Sequence, residues 1–249
     1  MELTPPHAIL LDMDDTLLDS PTAGERAWGD VAEWLGGLFA HPVTAVGPEL
    51  AAANAWYWSD SARAYGGRHD QAGARVAIAE RACATLDVDP GEVPRDLGQR
   101  FLAARLEYLA PFPGALEALR RLRADGVRLA LVTNGEAAAQ RQKIGKFRLA
   151  DEVDTVLVEG ELGFGKPDPR VFDLALDRLE CEVGDAWIVG DDLEWEVAGG
   201  RRYGLASVWV NARKRELPPG LGHAPDREVQ TVAELPGLIE ACRESSPTG

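Results

Sequence analysis

Residues 7–16 read HAILLDMDDT, a short apolar run that stops in an acidic loop with Asp12 and Asp14 two residues apart. A continuous apolar run of this length reads as a strand buried on both faces. The same arrangement recurs along the chain. Residues 129–132 (LALV) end at Thr133 and Asn134, and 155–158 (TVLV) lead into the loop 160–169 (GELGFGKPDP), which carries Lys166. Residues 186–189 (AWIV) end in GDD, with Asp191 and Asp192, and 206–210 (ASVWV) end in NAR. Helical patterns over 114–125, 136–147 and 170–179 separate most of these runs. Buried strands alternating with amphipathic helices predict an α/β fold, a parallel sheet covered on both faces.

Between 19 and 110 the alternation stops. WGDVAEWLGGLF, GARVAIAERACATL and DLGQRFLAARLEYL each carry helical spacing, with breaks expected at 41–42, 66–67 and 90–91. The stretch is read as an all-helical insert, and 110–114 (APFPG) as its stiff return to the sheet. The core domain is then 1–18 with 111–244, and 245–249 (SSPTG) is expected to be a disordered tail.

In an open parallel sheet, ligands bind beyond the carboxyl ends of the strands. Four of the five strand ends here carry polar residues whose chemistry converges. Asp12 and Asp14 repel each other unless a cation or a proton lies between them. A hard cation with oxygen ligands, Mg²⁺, answers that, and Asp191 can supply a further carboxylate. Thr133 offers a hydroxyl and Asn134 an amide to a phosphoryl oxygen, and Lys166 a point charge. A phosphoryl transition state needs this positioning and charge neutralisation. A carboxylate can also be the nucleophile.

The bulk properties agree. The chain of 249 residues has a formal charge of -15 and a pI near 4.7, with 45% hydrophobic residues. Such a surface repels nucleic acid and anionic membranes, so a phosphorylated substrate must meet a local cation. Cys83, Cys181 and Cys242 form no C-x-x-C pair and read as reduced thiols of a cytoplasmic protein. No run approaches the about 20 apolar residues that span a bilayer, and the N-terminus carries no signal-peptide pattern.

D-x-D-x-T at 12–16, then TN at 133–134, Lys166 in KPDP and GDD at 190–192 resemble the four ordered motifs of the haloacid dehalogenase superfamily. The stretches 131–147, 206–211 and 233–241 are similar to the N-acylneuraminate-9-phosphatases and bacterial nucleotidases of that superfamily. The resemblance implies a Rossmann-like, doubly wound core with a mobile helical cap of type 1 at 19–110. It implies that Asp12 attacks phosphorus, that Asp14 protonates the leaving oxygen and then activates water, and that Thr133 and Lys166 hold the transferred group. Thr16 would brace the loop. Mg²⁺ would be held by Asp12, the Asp14 backbone carbonyl and Asp191. The family's dehalogenases lack an acid at the position of Asp14, so the resemblance favours a phosphatase. The family's fourth motif often has a second Asp where this chain has Glu196, which leaves open whether Glu196 or Asp192 joins the metal shell.

Each residue also has a plainer reading. Thr133 and Asn134 suit the cap of the following helix, and that role is compatible with anion binding. Residues 160–167 meet the G-x-x-x-x-G-K spacing, but Pro167 stands where a P-loop needs Ser or Thr. Trp56, Tyr57 and Trp58, with Arg63, Arg68 and His69, could contact a sugar or base, though such aromatics more often pack between helices. His7, His41 and His223 carry no ligand spacing. The expected function is an Mg²⁺-dependent phosphatase of a small phosphorylated metabolite, with no nucleic-acid or membrane partner, acting as monomer or homodimer. A phosphomutase of the same superfamily, a phospho-acceptor of the receiver type and a binding protein on a decayed fold remain the competing classes.

Overall fold

The computed structural model describes residues 3–89, 91–220 and 222–245, without the side chains of residues 68 and 69. The expected contacts of Arg68 and His69, and positions 246–249 of the expected tail, fall outside the described residues. The chain separates into two compact units, one of Met1–Asp19 with Pro111–Gly249 and one of Ser20–Ala110.

The first unit is built on six parallel strands: β1 (Ala8–Leu11), β2 (Arg128–Thr133), β3 (Thr155–Val158), β4 (Ala186–Gly190), β5 (Ala206–Val210) and β6 (Arg227–Val229). Their order is β3-β2-β1-β4-β5-β6, the doubly wound Rossmann-like arrangement. Leu11 of β1 is level with Leu131 on one side and Val189 on the other. The carboxyl ends of the three central strands therefore open onto one crevice, where the strand order reverses. Leu10, Val132, Leu157 and Ile188 pack against Val171, Phe172 and Ala175 of the helix Pro169–Arg178. The alternate residues Ile9, Leu11, Leu131 and Val189 are buried as well, so both sheet faces are covered. β6 was not expected from sequence: two of its three residues are charged and only Val229 is buried. Ser245 ends the last helix, Leu235–Ser245, and so lies in ordered structure rather than in the tail assigned to 245–249.

Among the described residues the second unit holds five helices: α1 (Ser20–Phe39), α2 (Val43–Trp58), α3 (Ser61–His69), α4 (Gln71–Thr85) and α5 (Val93–Tyr108). Val31, Leu35, Leu50, Ile78, Leu97 and Phe101 belong to its own core. One expected break fails. Residues 66–67 lie inside α3, whose ends are set instead by Asp60, which accepts from Arg63 N at 2.9 Å, and by Asp70, which accepts from Gly73 N at 2.8 Å to start α4. Gly67 serves packing: a Cβ there would lie 2.8 Å from Tyr57 Cε1. Gly67 admits a ring, and the glycine pair does not stop the helix. Among the described residues no helix is long and apolar enough to cross a membrane.

Candidate active site

The loop after β1 is tied to the sheet before it turns. Asp12 N donates to Val189 O at 2.9 Å, which continues the ladder one residue past the strand. The chain then folds back, with Leu17 N and Leu18 N both donating to Met13 O and Asp15 at φ 65. Met13 and Leu17 are fully buried and anchor the turn. Thr16 is buried too, but its Oγ1 has no hydrogen-bond partner among the described residues, so a hydroxyl brace is not what holds the loop.

Lys166 reaches this loop from beyond β3. Its Nζ lies 2.5 Å from Asp12 Oδ1 and 2.8 Å from Glu196 Oε1, with 1% of the side chain exposed. Asn134 fixes its backbone: Nδ2 donates to Lys166 O at 2.7 Å, and Oδ1 accepts from Lys166 N at 2.9 Å. The Asn134 amide is thus engaged on the Lys166 main chain, a different use from the substrate contact read from sequence. Gly165 permits the clamp, since a Cβ there would meet Asn134 Oδ1 at 2.5 Å.

Two residues that the sequence reading passed over hold Asp14. Lys143 Nζ lies 2.6 Å from Asp14 Oδ2, and Gln140 Nε2 donates to the same oxygen at 3.1 Å. Both project from the helix Ala137–Phe147 and are buried. Gln140 Nε2 also meets Asn134 O at 2.7 Å and Thr133 Oγ1 at 2.6 Å. Asn134 O and Asp14 Oδ2 only accept, so the amide nitrogen is the group that faces them. The amide has two N–H groups for these three acceptors, so one is shared, and because the nitrogen cannot accept, Thr133 Oγ1 keeps its own proton to donate elsewhere. The clue was available: Gln140, Lys143 and Ile144 share one helical face, so two polar residues lie on a buried stripe.

Asp191 and Asp192 follow β4. The Asp191 carbonyl accepts from Trp209 Nε1 at 2.9 Å and from Arg215 Nη2 at 2.6 Å, and Arg215 also lies 3.3 Å from Asp191 Oδ2. Asp192 Oδ1 caps the π-helical turn Leu193–Ala198 by accepting from Glu194 N and Trp195 N. Glu196 spends both oxygens, one on Lys166 and one on Asp192 N at 2.8 Å. It lies across Gly190, where a Cβ would fall 2.3 Å from Glu196 Cγ.

Three carboxyls and one ammonium share this interior. Burial pushes Asp12 up, Lys166 opposes it and Asp14 adds to it. Asp191 is pushed up to about 9, first by burial and then by Asp12 and Glu196, against the pull of Arg215. Burial likewise takes Glu196 up to about 7, with Lys166 opposing. Burial works against the charge on Lys166, but Asp12 and Glu196 outweigh it and hold Lys166 above the ordinary lysine value. The raised Asp12 and the raised Lys166 do not contradict each other. One ammonium balances one carboxylate, so ionising Asp12, Glu196 and Asp191 together leaves a surplus of negative charge, which is why burial raises all three.

A divalent cation fits that surplus. Among the described residues no group of three or more His, Cys, Asp or Glu side chains forms a metal-holding cluster. A cation here would therefore rest on the Asp12 and Asp191 carboxylates with backbone oxygen, the hard-ligand set that suits Mg²⁺. Glu196 and Asp192 face other partners.

A doubly wound sheet with a buried carboxylate–lysine pair at its switch point places the chain among the Rossmann-like α/β proteins whose polar residues gather at the strand ends. The chain belongs to the haloacid dehalogenase-like hydrolase family, whose model matches residues 6–204. It is 31% identical over 243 residues to a phosphoserine phosphatase of Thermus thermophilus, covering 91% of this chain and 96% of that one. It is 34% identical over 155 residues to the pyrimidine 5'-nucleotidase YjjG of Escherichia coli, a match that covers 62% of this chain and 66% of that protein's length. The HAD-hydrolase YfnB from Bacillus subtilis, solved bound to magnesium, superposes with a TM-score of 0.72 over 93% of this chain and 97% of that one, at 21% identity. That likeness concerns the fold alone.

Proposed function

We propose that this chain is an Mg²⁺-dependent phosphatase that hydrolyses a small phosphomonoester through an aspartyl-phosphate on Asp12. The observation that carries this reading is the pairing of Asp12 Oδ1 with the buried Lys166 at 2.5 Å, two residues from an Asp14 held by Lys143 and Gln140. Lys166 holds one oxygen of Asp12, so the other attacks phosphorus. The bond from phosphorus to the leaving oxygen breaks, and Asp14 gives that oxygen its proton. Asp14 then takes a proton from water, the hydroxide oxygen bonds to phosphorus, and the Asp12–phosphorus bond breaks. One water is consumed, and an alcohol and inorganic phosphate leave. Thr133 directs its hydroxyl proton at a phosphoryl oxygen, while Asn134 positions Lys166. Mg²⁺, held by Asp12, Asp191 and the Asp14 carbonyl, would supply charge neutralisation for the phosphoryl oxygens. The helical unit, read as a cap, is assigned the choice of substrate. The phosphoserine and nucleotide substrates in the relatives' names define the class to test.

Phosphate release from phosphoserine, nucleotides, sugar phosphates and phosphoglycolate, with and without Mg²⁺, tests the reading. Release that needs Mg²⁺ and falls by roughly 10³-fold or more in Asp12→Asn is expected. Turnover that survives in the variant would remove Asp12 as nucleophile. Phosphate taken up once per chain without turnover would favour a phospho-acceptor. Isomerised phosphosugar would favour a mutase.

A further inference from the structure

Inside the helical unit one buried cation has no acidic partner among the described residues. Arg75 lies in α4, and 6% of it is exposed. Its guanidinium lies 4.4 Å from the ring centroid of Phe101, 5.3 Å from Trp58 and 5.8 Å from Trp28. Among the described residues its one hydrogen bond runs from Nη1 to Asn54 Oδ1 and is long, at 3.4 Å. That acceptor is shared with Trp58 Nε1 at 3.1 Å. Arg75 Nε is buried and has no acceptor at all.

The charge nearest in effect is a second cation. Arg105 of α5 works against Arg75, and its own Nη1 reaches only the neutral Gln71 Oε1, at 3.4 Å. Burial first, then Arg105, presses Arg75 down to about 9. A guanidinium does not surrender its proton at neutral pH, so the burden remains as uncompensated charge. The chain carries 41 acidic residues against 26 basic ones, and several of its arginines pair with acids: Arg120 with Glu152, Arg141 with Glu161 and Arg201 with Asp226. No described carboxylate faces Arg75.

Aromatic faces offset part of the burial of a cation. They supply no acceptor in the guanidinium plane, where its five N–H groups lie. That edge matches the two oxygens of a carboxylate or the oxygens of a phosphate. Trp28, Trp58, Asn54, Gln71 and Arg105 are each half-buried, so the rim of the site borders solvent.

We infer that Arg75, with Arg105 and Asn54 beside it, is a recognition site for a small oxyanion, a carboxylate or a phosphate group, in the helical unit. The occupant is a free ion bound within the helical unit, and the test follows the Arg75 Nε–H resonance of the full chain, assigned by its loss in Arg75→Lys, during titration with inorganic phosphate and with malonate. A saturable shift is expected with at least one of the two anions, and Arg105→Gln should raise the midpoint of that titration by roughly tenfold. A resonance that stays silent with both anions would overturn the site and leave Arg75 as packing among rings.

Discussion

Asp14 is the residue whose surroundings say most about the reaction. In the proposed reaction Asp14 gives and takes a proton in successive steps, a task that needs a fixed orientation more than a fixed charge. Lys143 and Gln140 provide it through one oxygen. Their effect is therefore specific to the leaving group. Lys143→Met should slow alkyl phosphates by about 10- to 100-fold, a share of the usual general-acid contribution. Nitrophenyl phosphate, whose leaving group departs without a proton, should lose much less, and Lys143→Arg should recover part of the loss. Steady-state kcat on the two substrates reads this directly. Equal losses on both would make Lys143 a structural residue. Asp12, Thr133, Lys166 and Asp191 were legible in the chain because each follows a short apolar run that names its own strand. Gln140 and Lys143 sit within a helix, where polar residues are ordinary, and only their shared face with Ile144 marks them. Glu196 was legible as an acid near the site but not as the partner of Lys166, because the two meet only after the sheet is assembled.

At the level of elements, the end of β4 and the turn after it act as one unit. Gly190 closes the strand under the Glu196 side chain, with no room for a methyl group. Gly190→Ala should cost about 1–3 kcal/mol by overpacking, seen as an earlier urea midpoint. It should also slow turnover by displacing Glu196 from Lys166. Adding Glu196→Ala removes the clash, so the double variant should be more stable than the sum of the single changes predicts. Strict additivity would mean that the two positions do not touch. The far edge of the sheet rests on Asp226, which pairs with Arg201 and accepts from Ser207 N at 2.9 Å. Burial works against its charge, but Arg201 and the Ser207 donors hold Asp226 below the ordinary 3.8. Its contribution is therefore complete above that value and is lost as pH falls through the native one. Asp226→Asn should be less stable than wild type by about 1–3 kcal/mol at neutral pH. The gap should close in acid; a gap that persists there would assign the effect to packing. That edge was poorly legible in the sequence, since β6 shows one buried residue and relies on a side-chain tie instead of an apolar run.

Over the whole molecule, the insertion is arranged so that the sheet unit does not need it to close. Leu18 bridges to Pro111, and Phe112 N donates to Leu17 O at 2.9 Å, so the two chain crossings are held to each other within the sheet unit. Asp12, Asp14, Thr133, Lys166 and Asp191 all belong to that unit, and the helical unit buries a core of its own around Leu35, Ile78 and Phe101. Replacing 20–110 with a short Gly-Ser linker asks only for a loop between neighbouring ends, and the closure cost of such a loop is small and grows slowly with length. The shortened chain is expected to unfold in one cooperative transition by circular dichroism. It should keep an Asp12-dependent, Mg²⁺-dependent turnover of nitrophenyl phosphate, whose leaving group asks little of its surroundings. Its preference among larger phosphomonoesters should shrink, because the helical unit assigned to that choice is gone. A shortened chain that folds but turns over nothing would place part of the catalytic set in the helices. One that does not fold would show that the sheet unit depends on the insertion for its stability, despite the backbone bonds across its crossings.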